Sequence, residues 1–263
     1  MVQGMKIFLS AMENATSPKS TGGKQIAELL VEKGIELKYI LMSYFYIGKN
    51  TTKMKLAEFI RDNSQEIMID SGAHSFQKGK VVKWEEYTRQ YAEWITTFDR
   101  PHVVGYFEMD VDNVIGYQKV LELRKILDAV SDKIIPVWHK NRGIEEYKKM
   151  CRDYSGKIVA ITGFKNEDIQ DHQYMMFLKY AKEHNCQLHC LGMTRKKVLD
   201  KVPFDYTDSS SWVQQTVFGR VEGRGQVSRK FSKERRDIVF IENYVQGLAM
   251  QNKYYKKWRN VHK

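Results

Sequence analysis

Eight short apolar runs alternate with amphipathic stretches along most of the chain, and this alternation constrains the fold more than any single motif. The runs cover residues 5–12, 37–43, 66–70, 103–110, 133–138, 157–162, 187–192 and 204–208. Between them, residues 23–33, 53–62, 84–97, 114–130, 144–152, 173–183 and 194–200 carry apolar side chains at helical spacing. Strands separated by helices pair in parallel. Eight such units in 263 residues is the tally of a (β/α)8 barrel. A doubly wound sheet uses fewer strands and usually carries a glycine-rich phosphate fingerprint after the first, and none follows a strand here. The expected fold class is α/β: a (β/α)8 TIM-type barrel over residues 1–218, with a basic C-terminal extension over 219–263 that belongs to the same domain.

Beyond Trp212 the pattern changes. Gly219, Gly223 and Gly225 interrupt a basic stretch, residues 237–251 are helical in spacing, and residues 253–263 form a basic aromatic tail. Residues 214–263 hold twelve Lys/Arg against four Asp/Glu, within a net charge of +11 for the chain. An excess of this size suits a polyanionic partner, nucleic acid first, although a charge run is also an ordinary solvated surface. Arg220, Arg224, Arg229 and Lys230 are the candidate nucleic-acid contacts. Tyr254, Tyr255 and Trp258 either stack on bases or anchor the tail. Cys151, Cys186 and Cys190 are too few and too clustered for a disulfide framework, which fits a reducing compartment. With neither a leader pattern nor an apolar run of membrane length, the expected location is the cytoplasm, away from any membrane.

In a barrel the strand C-termini converge on one mouth, so the polar residues there are the informative ones. Strand three ends in Asp70-Ser71-Gly72-Ala73-His74, strand four in Glu108-Met109-Asp110-Val111-Asp112, and strand five in Trp138-His139. Strand six ends in Thr162-Gly163, strand seven in Gly192, and strand eight in Asp205 and Asp208. Each acid alone reads as a helix cap; together they read as a site for acid–base, nucleophilic or metal chemistry. Asp110 and Asp112 could hold a divalent cation for a hydrolase or nuclease. His184, Cys186, His189 and Cys190 have the look of a zinc cluster but straddle a helix end and a strand start, so no metal or other cofactor is expected there. His74 and His139 leave a Ser/His/Asp arrangement open, without the strained elbow that usually supports one.

The ordered set of motifs resembles the tRNA-guanine transglycosylase (queuine tRNA-ribosyltransferase) family. I-D-S-G-A-H-S-F resembles that family's D-S-G-G-F-Q, A-I-T-G-F its A-I-G-G-L, and F-D-Y-T-D-S its V-D-M-F-D-C. The resemblance implies exchange of a guanine in nucleic acid for a free 7-deazaguanine base. Asp208 matches the nucleophile and Asp70 the general acid/base. Ser71, Asp110 and Gly163 match positions that grip the base. Thr162 and Gly192 flank that grip, and His139 stands near the place of a glutamine. Ala73 replaces the second motif glycine, and no cysteine follows Cys190 to build the family's zinc subdomain. A short barrel with a basic C-terminus is most similar to the phage-encoded branch that modifies DNA, so DNA is preferred over tRNA and the site of action would be the host cytoplasm. Trp212, close behind the nucleophile, is either a wedge for an extruded base or a core residue. A non-catalytic nucleic-acid-binding subunit is the alternative, and a homo-oligomer is left open.

Overall fold

A computed structural model describes residues 4–76, 82–162, 169–221 and 223–259. The first four strands are Lys6–Ser10, Leu37–Ser43, Ser64–Asp70 and Val103–Phe107. The fifth is in two pieces, Ile134–Ile135 and Val137–Trp138, and the last three are Ile158–Thr162, Gln187–Leu191 and Tyr206–Ser209. All neighbours in this sheet pair in parallel, and strand one pairs with strands two and eight. The ring closes through strand five. Its first piece pairs with strand four and its second with strand six. Pro136, which has no N–H, sits between the pieces, and its carbonyl still accepts from the Ala160 amide at 2.9 Å. The expected barrel is the fold.

Alternation along each strand sorts the side chains into two layers. Phe8, Tyr39, Leu41, Met68, Phe107, Ile135, Val137, Ala160 and Tyr206 fill the barrel interior as one cluster. Their sequence neighbours face outward into the clusters beneath the helices. The helices at Ile26–Glu32, Thr51–Asn63, Trp84–Phe98, Tyr117–Asp128, Ile144–Asp153 and Tyr174–Glu183 follow strands one to six. The expected helix over 114–130 is broken at Gly116, whose φ of 81° ends a short turn, Asp112–Ile115, before the main helix starts.

The largest departures lie after strand eight. The glycine-rich stretch, expected as a loop, contains a two-stranded hairpin, Arg220–Val221 against Gly225–Gln226, between the helices Ser211–Val217 and Arg229–Glu234. Helix Arg236–Trp258 then covers strand one, where Gly247 lets the backbone approach the Leu9 side chain. Gln251 donates to the carbonyls of Ile7 and Tyr39, and Tyr244 to that of Glu36. This helix occupies the eighth helical position and ends beside Leu199 and Asp200, at the N-terminal face of the barrel. Tyr254 is buried and Trp258 donates to the Leu199 carbonyl, while Lys38 stands over the Tyr255 ring. These aromatics anchor the chain on the face opposite the mouth, so the expectation that they reach nucleic acid there is not met. No helix among the described residues is long and apolar enough to cross a membrane.

Candidate active site

The mouth is assembled from the last inward-facing residue of each strand. Strand eight contributes Asp208, whose side chain is 15% exposed. Its Oδ1 accepts from His189 Nε2 at 3.0 Å and from the Gly192 amide at 2.9 Å. Its Oδ2 has a single, longer contact, Ser10 Oγ at 3.3 Å. One oxygen is therefore fixed from behind and the other is left lightly held. Gly192, expected to touch a substrate, turns its N–H to Asp208, from a left-handed backbone with φ 62°. Asp205 is separate from this group. It is buried, binds Lys182 Nζ at 2.6 Å and accepts from the Leu188 amide, tying strand eight to its neighbours.

Strand three contributes Asp70, paired in register with Ser43 of strand two. The tight turn after Asp70 explains its local sequence. Gly72 has φ 75°, and a Cβ there would stand 2.3 Å from Phe45 Cβ. Ser71 is fully buried, and its hydroxyl donates to the Glu108 carbonyl at 2.8 Å, stapling strand three to strand four. Tyr87 donates to the Ser71 carbonyl. The His74 side chain and Gly163 lie outside the described residues, as does 164–166. Thr162 is half-buried at the end of strand six.

Strands four and five contribute a charged cluster. His139 Nε2 meets Asp110 Oδ1 at 2.5 Å. Burial alone would lower the imidazole, but the hydrogen bond and charge of Asp110 outweigh it and raise its pKa above the ordinary value. Arg142 runs through the middle of the cluster. Its guanidinium reaches Glu108 at 3.2 Å, Asp112 at 3.0 Å and Asp110 at 3.7 Å, and also donates to the Val137 carbonyl. Glu108 is buried too, held by Arg124 at 2.5 Å and accepting from the Val137 amide at 2.7 Å. Asp110, Asp112 and His139 come close enough together to share an ion. Arg142 and Asn141, however, already occupy Asp112 Oδ2 at 3.0 Å, and a cation beside the three groups opposes a second one. The cluster is therefore built as an ion-pair network.

Three residues that matter here were missed in the sequence. His189 was weighed only as a zinc ligand, yet the strand divides that motif. Cys190 and Leu188 face the outer cluster, while His189 packs inside against Phe107 and Tyr206. The alternation of strand seven carried that signal. Arg142 lies past the end of strand five and had no motif around it. Glu13 follows strand one in a short turn entered through Ala11, a non-glycine residue at φ 71°. Its carboxyl is fully buried. Oε1 accepts from the Ser43 amide at 3.2 Å and from Asn14, and Oε2 has no hydrogen-bond partner. Burial is the main reason that its pKa is raised to about 7. Its own backbone, the Ser43 amide and Lys53 pull it back, and Asp70 pushes it further up.

The remaining sequence candidates fall elsewhere. Trp212 is buried beneath the last helix, against Phe240 and Tyr244, and donates to the Ser10 carbonyl at 2.9 Å. It is a core residue and no wedge. Arg220, Arg224, Arg229 and Lys230 are exposed on the hairpin and the helix that follows it, and Arg224 pairs with Glu242 at 3.1 Å.

No protein-family model matches the chain, and no curated protein matches it in sequence. Among solved structures it is similar to a protein of Aquifex aeolicus VF5 (TM-score 0.47, 8% identity, 90% of this chain and 92% of that one). It is also similar to a candidate lyase/mutase from Burkholderia cenocepacia J2315 (TM-score 0.47, 10% identity, 96% and 92% of the two chains). A third likeness is to the 2-keto-3-deoxygluconate aldolase of Sulfolobus sulfataricus (TM-score 0.31, 13% identity, 96% and 86%). These are likenesses of fold, and they leave the chemistry to be read from the site.

Proposed function

We propose that the protein is an enzyme, a guanine transglycosylase that exchanges guanine in nucleic acid, DNA in preference to tRNA, for a free 7-deazaguanine base. The observation that carries this reading is the uneven holding of Asp208. His189 and Gly192 fix Oδ1, and Oδ2 keeps one 3.3 Å contact. That is the geometry a carboxylate nucleophile needs: oriented, yet with a lone pair left for carbon. Asp70 stands on the same mouth, two strands away from strand eight's neighbour, strand one.

In this reading Asp208 Oδ2 attacks C1′ as the C1′–N9 bond breaks, giving a glycosyl ester. Asp70, protonated at the outset, delivers its proton to the departing guanine. The incoming base then attacks C1′ through N9, breaks the ester and returns a proton to Asp70. Two inversions give net retention, as in retaining glycosidases. The Asp110–His139 pair supplies a carboxylate for the donor edge of a guanine-like ring. Ser71 acts indirectly, by holding the turn that presents Asp70.

The test is incubation of the protein with labelled 7-deazaguanine and either DNA or tRNA. The expected result is label in DNA, a denaturation-resistant protein–DNA adduct in the wild type, and neither in Asp208→Asn. Absence of label from both nucleic acids with the wild-type protein overturns the proposal.

A further inference from the structure

We propose that the exposed face made by Phe218, Arg220 and the start of helix Arg229–Glu234 docks single-stranded nucleic acid, with the Phe218 ring stacking on an unpaired base. The inference rests on nucleic acid being the partner in the reading above, and it adds a place and a contact.

Phe218 is 66% exposed and its neighbour Val217 59%, the two most exposed large apolar side chains among the described residues. One exposed apolar residue is ordinary on a protein surface; two in sequence, on a rigid support, are less so. The support is rigid because the backbone around Phe218 is bonded on every side. Its N–H donates to the Gln214 carbonyl at 3.0 Å, and its own carbonyl accepts from Gln226 Nε2 at 3.0 Å. Gly219 donates to Thr216 and accepts from Val227, and at φ 64° it packs so closely on Ser232 that a Cβ would sit 3.0 Å from the hydroxyl. The ring is thus presented to solvent from a fixed frame, so little backbone entropy is lost when it is covered.

The charge around it selects the occupant. Arg220, Arg229 and Lys230 are exposed and have no carboxylate partner among the described residues, in contrast to Arg224. A flat apolar ring among unpaired cations suits a chain that offers phosphates and base faces together. A single strand offers both, whereas a duplex hides its base faces in the stack. The surface is also tied to the catalytic mouth. Ser10 donates to Asp208 through its hydroxyl and accepts from Trp212 through its carbonyl. Trp212 opens the seven-residue helix that ends just before Phe218, so the ring sits about 10 Å along that helix from the strand-eight end. A strand lying on this face would lead its neighbouring nucleotide toward Asp208, where the target base must be unstacked.

The test uses the full chain carrying Asp208→Asn, to prevent turnover, and a fluorescently labelled single-stranded DNA oligonucleotide followed by anisotropy across a salt series. The expected outcome is binding that weakens with salt. Phe218→Ala should bind roughly tenfold more weakly with the same salt dependence, and Phe218→Trp should restore binding. The double change Arg229→Ala, Lys230→Ala should flatten the salt dependence by about two counterions. Unchanged binding by Phe218→Ala, or no binding by the parent protein, overturns the inference. Base exchange assayed separately on the wild-type background distinguishes the two readings. Exchange with Phe218-independent binding removes this surface alone, and Phe218-dependent binding without exchange removes the transglycosylase alone.

Discussion

His189 Nε2 donates to Asp208 Oδ1 across 3.0 Å from a fully buried position between Phe107 and Tyr206. Its other nitrogen, Nδ1, has no hydrogen-bond partner. The ring is therefore a donor to Asp208 and nothing else, and its place in the apolar interior fixes the direction from which the carboxylate is held.

Removing that donor should unseat the carboxylate. His189→Ala is expected to lower the exchange rate about 100-fold by misorientation, and to cost roughly 2–4 kcal/mol of stability through the cavity and the lost hydrogen bond. Asp208→Asn, which keeps the shape, should abolish exchange with little loss of stability. Urea unfolding beside initial rates separates the two; an Asp208→Asn protein that still turns over removes it as the nucleophile.

Glu13 makes stability depend on pH in an unusual direction. Its folded pKa of about 7 lies above the ordinary 4.5, chiefly because of burial. The folded state therefore keeps a proton that the unfolded chain releases between these values. The stability from this group is complete below about 4.5 and is lost as pH rises through 7, a change of about 3 kcal/mol. Glu13→Gln, neutral at every pH, should lose less stability between pH 5 and pH 8 than the wild type. Parallel urea midpoints for the two proteins over that range would contradict this.

Gly72→Ala tests the turn that presents Asp70. A side chain there meets both a φ of 75° and a 2.3 Å contact with Phe45 Cβ. The expected cost is about 2–4 kcal/mol, read as a fall in melting temperature, together with loss of activity at constant Asp70 chemistry. Ala73→Gly, next to it, should leave activity intact.

Arg142→Met strips the cation from Glu108, Asp110 and Asp112 at once. With buried carboxylates left unpaired, the fold should lose about 3–5 kcal/mol. The wild-type rate, by contrast, should be insensitive to a strong chelator. A rate that falls with chelation and returns with a divalent cation would move the function to the metal-dependent alternative.

The barrel was legible because strand–helix alternation is written locally, residue by residue. Asp70, Asp110 and Asp208 were legible as mouth residues for the same reason: each ends an apolar run. The misses have a common physical origin. Arg142 works through partners up to 34 positions away, and Glu13 through the amide of Ser43, 30 positions on. No local pattern reports such contacts. Trp212 and Tyr254 looked like nucleic-acid contacts because aromatic residues among cations suit both roles, and only packing against the last helix decides for the core. Phe218 went unnoticed because exposure, unlike hydrophobicity, cannot be read from one residue.

Strand one has an unusual place in time as well as in space. It needs residues 206–209 as its second neighbour and the helix 236–258 as its cover. Both are made last. During synthesis the apolar face of residues 6–10 must wait, uncovered, for nearly the whole chain, making it the segment most open to chaperones and to misassembly. Slowing translation before residue 206 should lengthen that exposure.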